Sequence, residues 1–544
     1  MPTQSIPITN LAQYGYVPDA APSTLPPNAF SYSRNWRFNQ AGFAEVTRGY
    51  SDAYGLEDVN LGSSTTVASF LFTWTLADEP AIIYYDRVNR EMRLARIINN
   101  VFTEDTLSTA QHQAALEYDW QATELFGIPI LNNGTEAPWV FTSTTEGDVT
   151  THSLARLTNF PAGNQARCEF ITSYQGFLIA CGYQNPDGSA GNTGGSRVLA
   201  ISDIVEEVGT LPEWDFDNDD SFAQTFDLSL LTDGDIVSAF ESNGVLYVNT
   251  TTNVISLTYQ GDGFFDATVL PFPNGVLTKR STTNVPNGQF NIGNQRMYIH
   301  DGSTAVPIGE GKFVETWFGT VDNGRLDEVQ AIYDPRSTSV WIKTPIGSNE
   351  QEIWIYNLEN DTISVLDDHN EVEYMFFSAE GIPSTAVSWD NLGMDLTWDE
   401  LDFSSWNDFV IGGSTLRNRL MSVGGRKVFV HDQGQDFNGR AVSAVLRRED
   451  LPLSQNTYSS SQISRMILWI GTSSPNTTLS VRVGGSNAIN SPTTWTASRT
   501  LQVDDSEKID FRKTVKWGAV EFVSQTTGHR LSGYELEISP QGRR

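Results

Sequence analysis

The chain has 544 residues, 39% of them hydrophobic and 11% aromatic, which is material for more than one core and excludes large-scale disorder. Its formal net charge of −32 argues against tight binding of nucleic acid, because phosphate neutralisation needs Lys and Arg. Charged residues are only 18%, and Thr, Ser, Asn and Gly take their place, as in chains of many short strands and turns.

The charge is divided along the chain. From Arg440 to Arg544 there are 13 Lys+Arg against 9 Asp+Glu, a net of +4; the other 439 residues hold 21 against 57, or −36. The first ten residues, MPTQSIPITN, carry neither the basic nor the apolar region of a signal peptide. No run approaches the roughly 18 apolar residues of a membrane helix. A soluble protein made in a cytoplasm, with no membrane span, is expected.

Residues 1–60 read as an N-terminal arm. Leu25-Pro26-Pro27-Asn28-Ala29-Phe30 is Pro-rich and extended, and Asn35–Phe38 with Gly42–Val46 predicts a short hairpin. Residues 61–440 read as a body of alternating strands, paired through turn residues such as Asn243-Gly244. The pairs recur every 40 to 50 residues, near 67–97, 125–157, 166–204, 235–260, 288–308, 329–365 and, less regularly, 403–431. That period predicts an all-β fold with a β-propeller-like body of six or seven blades; stacked β-sandwiches are the alternative. Helical periodicity is confined to Thr109–Trp120 and Ser202–Val208. After a Ser/Gln/Tyr linker at 453–461, residues 441–544 predict a separate C-terminal β-sandwich, with strands near 463–470, 478–483, 494–501, 520–523 and 534–538.

Chemistry-bearing constellations are few. Cys168 and Cys181 have no zinc-type spacing and read as two buried thiols. His112, His152, His300, His369, His431 and His529 are scattered and read as surface or turn residues. Neither GxSxG nor a phosphate-binding glycine loop occurs. Asp215, Asp217, Asp219 and Asp220 form one dense carboxylate cluster, a weak candidate for calcium, but Asp220 stands where an EF-hand needs Gly and Phe226 where it needs Glu. A solvated acidic loop is the better reading. Ser388–Gly393 faintly resembles a sialidase Asp-box turn but occurs once and with one residue too many. Trp389, Trp398 and Trp406, each near an aspartate, are candidate interface anchors together with Pro26, Pro27 and Trp36. No cofactor, no metal, no catalytic residue and no enzymatic activity are expected.

The order of several phrases resembles the tail nozzle proteins of short-tailed bacteriophages. They are Leu25-Pro26-Pro27-Asn28 with Asn35-Trp36 and Arg48-Gly49-Tyr50; Arg197–Asp203; Gly244–Val248 with Leu257–Gly261; Tyr298–Gly302; Ile332–Arg336; and Leu531–Glu537 with the closing Gly542-Arg543-Arg544. The resemblance spans most of the chain, and its specificity lies in the order. It implies a structural virion protein at the tail tip, made in the host bacterial cytoplasm and assembled as a homo-oligomeric, six-fold ring. Such a ring lies below the tail adaptor and portal, carries fibres or spikes, and lets DNA pass without tight binding. An acidic body facing channel and solvent, with a protein-contacting C-terminal unit, is the corresponding electrostatic expectation. The alternatives are a receptor- or glycan-binding tail protein and a propeller glycosidase.

Overall fold

The computed structural model describes residues 3–541 apart from 40, 53–66, 77–78, 99–100, 106, 109–118, 147–148, 159, 162–165, 186–193, 208, 273, 349, 368, 381–416, 433, 455–458, 473–477 and 503–507. It is an all-β structure: a β-propeller of seven blades joined to a two-sheet sandwich. Blades 1 to 6 are antiparallel sheets at 68–105, 121–156, 170–227, 236–269, 282–308 and 330–366. The four strands of each run outward in chain order, and blade 2 adds Leu107–Ser108 at its outer edge, paired parallel with Val149–Arg156. At the Asn243-Gly244 turn of blade 4 both residues have positive φ, 53° and 79°, which matches the twist of the strands they join.

Blade 7 closes the ring with both ends of the body. Its inner strands are Tyr374–Glu380, Arg417–Gly424 and Lys427–His431, and its fourth is Tyr50–Asp52, paired antiparallel with Phe429 opposite Asp52 and His431 opposite Tyr50. Gly49 makes this closure possible. A Cβ there would lie 1.6 Å from the Asp436 carbonyl oxygen, so only glycine lets the strand reach its place.

Every seam between neighbouring blades has its own buried core, seven in all. Side chains also stitch inner strand to inner strand. Gln330 exchanges two hydrogen bonds with the backbone of Met375, at 2.6 and 2.8 Å, from blade 6 to blade 7. Thr73 donates to the Phe377 carbonyl, and the Thr283 hydroxyl accepts from the Tyr333 amide. Blades 1 and 2 meet instead through rings, with Trp74 edge-on to Phe141 at 5.0 Å.

The sandwich is built from both ends of the chain. One sheet holds Lys508–Val515, Ser460–Thr472 and His529–Gln541, to which Gln4–Thr9 and the hairpin Trp36–Phe38/Ala44–Val46 add. The other holds Tyr32–Arg34, Ala444–Pro452, Trp517–Ser524 and Thr478–Ser486. The segment expected to be an arm therefore supplies strands to its own chain. Its core is continuous with the seam between blades 5 and 6.

One of the two helical expectations differs from what is observed. Residues 202–207 form an irregular loop, and 109–118 lie outside the described residues. Among the described residues the α-helix is Val314–Thr320, a seven-residue connector with Trp317 fully buried. It is too short for its periodicity to stand out in the sequence.

Candidate interaction surfaces

Charge is segregated more sharply in space than the domain totals indicate. From Val198 to Thr278 there are fourteen Asp+Glu and no Lys, Arg or His. Thirteen of the fourteen are exposed, all but the half-buried Asp203. They cover the outer part of blade 3 and the whole of blade 4. Asp215, Asp217, Asp219 and Asp220 belong to this flank, on the loop between Val198–Ile201 and Gln224–Asp227. The loop is shaped by its own turns: the Asp217 amide donates to Asp215, and the Asp220 amide to Asn218. Among the described residues no group of three or more His, Cys, Asp or Glu is arranged to hold a metal. Two apolar side chains stand out of the same flank, Leu230 at 98% exposure and Phe264 at 71%.

The counterpart lies at blades 6 and 7, three blade positions away. A cleft of about 500 Å³ is bounded by the 36–46 hairpin, the Arg336–Ser339 turn of blade 6, Asp432 after blade 7 and Arg530 of the sandwich. Four arginines line it, Arg37, Arg48, Arg336 and Arg530, against the two carboxylates Glu45 and Asp432. Arg37 pairs with Asp432 at 2.8 Å and Arg530 with Glu45 at 3.1 Å. Arg48 and Arg336 form no close ion pair with a described residue, and both act on Asp432 at longer range. Burial would raise the Asp432 pKa, but Arg37, Arg48 and Arg336 outweigh it and hold the carboxyl below its usual range.

The aromatic interface candidates divide. Trp36 is fully buried in the core shared by arm, sandwich and propeller. It anchors an internal contact, which corrects its reading as a residue presented to a partner. Pro26 is half-buried and Pro27 exposed. Trp389, Trp398 and Trp406 lie outside the described residues. The histidine reading is corrected as well. His152, His300, His369, His431 and His529 are buried, and His369 and His431 stack 6.1 Å apart, brought together across 62 positions by the closure of blade 7. Cys168 and Cys181 are free and buried, as expected. The acidic flank was readable in advance as an 81-residue stretch without a base. The arginine cleft was not, since its residues come from four distant segments.

No protein-family model matches the chain, and no curated protein matches it. Solved structures do. The exo-beta-1,3-galactanase of Phanerochaete chrysosporium, in complex with galactose, is 7% identical, with 90% of this chain and 100% of that one covered at a TM-score of 0.25. YCF48 of Cyanidioschyzon merolae is 10% identical over 70% and 98%, at 0.35. AofleA of Arthrobotrys oligospora is 12% identical over 61% and 93%, at 0.28. Likeness at this level assigns neither ligand nor activity. It does correct one expectation: with an enzyme among the similar structures, the reading of the chain as non-enzymatic is withdrawn.

Proposed function

We propose that this chain is a wall subunit of the nozzle at the distal end of a short bacteriophage tail. It assembles in six-fold rings around the DNA exit channel and joins the adaptor above to fibres or spikes. The observation that carries the reading is the base-free flank of blades 3 and 4, with thirteen exposed carboxylates. Placed toward a channel, that flank repels phosphate, so DNA slides past without the contacts that would hold it. The arginine cleft lies on the other side of the propeller, away from that flank. The order of nozzle-like phrases along the sequence agrees with this role.

Cryo-EM of the assembled ring is the test. The flank from 198 to 278 is expected on the lumen wall. A net basic lumen, or a flank buried between subunits, overturns the proposal.

A further inference from the structure

The cleft between propeller and sandwich reverses the sign of the chain's charge. Four guanidiniums and two carboxylates line it, a net of +2 in a chain of net −32. Its volume of about 500 Å³ falls within the roughly 300–1,000 Å³ of small-ligand sites, which favour the junctions of domains.

The four arginines are in two different states. Arg37 gives Nη1 to Asp432 at 2.8 Å and lies over the Trp341 ring at 5.4 Å, and Arg530 gives Nε to Glu45 at 3.1 Å. Arg48 and Arg336 are exposed, and neither guanidinium donates a hydrogen bond to a described residue. Each is a planar fork of N–H donors facing the cleft. Both stand on braced backbone. The Arg336 amide donates to Asp334 at 3.0 Å, and the Ser337 hydroxyl donates to the same carboxylate, which does not line the cleft, at 2.5 Å. Arg48 lies between Thr47, whose amide donates to the Asn35 carbonyl, and Gly49, seated against the Asp436 carbonyl. Asp432 is near enough to act on both forks but is in contact with Arg37, so one further anion can lie near both.

We infer that the cleft is a binding site for a phosphomonoester, held by the guanidiniums of Arg48 and Arg336. Charge selects the group. A phosphomonoester carries about −2 at neutral pH and answers the net charge of the lining, whereas a sulfate monoester or a carboxylate carries about half of that. Its oxygens also accept the paired N–H bonds that a guanidinium offers. The volume beyond one phosphoryl group leaves room for a carrier of sugar size beside Asn39, Ser337 and Thr338. The site stands apart from the nozzle reading, since every residue of it belongs to one chain.

Titration calorimetry of the full chain with glucose 6-phosphate, glucose 6-sulfate and glucose tests it, because the two esters differ in charge far more than in shape. Glucose 6-phosphate is expected to bind about tenfold more tightly than glucose 6-sulfate, and glucose not at all. Arg48→Gln and Arg336→Gln should each weaken glucose 6-phosphate binding about tenfold with the thermal midpoint unmoved, since both side chains are exposed. Arg499→Gln removes the same charge from the exposed sandwich surface outside the cleft and should leave binding unchanged. Cosedimentation with phosphatidate-bearing phosphatidylcholine vesicles, lost in Arg48→Gln, would assign the ester to a lipid; glucose 6-phosphate binding without it assigns a soluble carrier. Binding of neither at millimolar concentration overturns the inference. So does equal binding of glucose 6-sulfate, or an Arg499→Gln variant weakened as much as the cleft variants, since general charge would then be the cause.

Discussion

The guanidinium of Arg448 donates to the carbonyl oxygen of Pro22 at 2.7 Å, across 426 positions of the chain. A second nitrogen reaches the Leu25 carbonyl at 2.8 Å, and the side chain is wholly buried. One residue of the sandwich thus holds the Pro-rich segment by two backbone acceptors.

Arg448→Ala takes that donor from both carbonyls and is expected to cost about 1–3 kcal/mol, the scale for a buried polar group left unmet. Arg448→Lys should recover only part, because one ammonium cannot reproduce the fork. Urea unfolding gives the size of the effect. Limited proteolysis should show new cleavage between residues 20 and 31 in the alanine variant alone.

Gly49→Ala places a methyl group against the Asp436 carbonyl and should keep Tyr50–Asp52 from seating as the fourth strand of blade 7. Overpacking of this kind costs about 1–3 kcal/mol or more where backbone cannot yield. Hydrogen exchange should rise along Lys427–His431, which loses its outer partner, while blades 3 and 4 stay protected. Uniform loss of protection would count against a local effect.

Closure of blade 7 also sets a pH dependence. Burial, and for His431 the neighbouring His369, push the two imidazoles down to about 4 for His369 and about 3 for His431. Tyr50, Phe429, Phe437 and Trp341 pack around the pair; Arg440 opposes protonation of His369, and Asp432 favours it at His431. Above about pH 6.5 the rings are neutral in folded and unfolded chains alike. As pH falls below that, the unfolded chain binds protons that the folded chain refuses, so stability drops until about pH 3. A His431→Phe variant should show a shallower fall of the thermal midpoint between pH 6.5 and 4 than the parent. An unchanged slope would refute the assignment.

Glu521 is 2% exposed and lies between Arg447, at 2.6 Å, and Arg482. Both guanidiniums also lie over the Trp495 ring. Glu521→Leu strands two arginines that water can reach in part and is expected to destabilise the chain by about 1–3 kcal/mol. Arg482→Leu, which leaves the carboxylate its other partner, should cost less. Chemical denaturation of the two variants, compared directly, checks the ranking.

What was legible in the sequence is what neighbouring residues decide among themselves. Alternating strands and Asn-Gly or Asp-Gly turns depend on local sterics and on one buried face, so the hairpin units and the all-β fold could be placed from residue order. The base-free stretch from 198 to 278 is likewise a local property of composition. Blade number was open at six or seven because the last blade takes its fourth strand from Tyr50–Asp52, more than 300 residues before its first, and no period records that. The same holds for the sandwich, whose sheets accept four strands from the first fifty residues, and for Trp36, whose burial depends on three distant segments. The histidine stack and the four-arginine cleft exist only once the ring closes. Long-range pairing, paid in chain entropy and repaid by buried area, decides these, and residue order alone carries no measure of it.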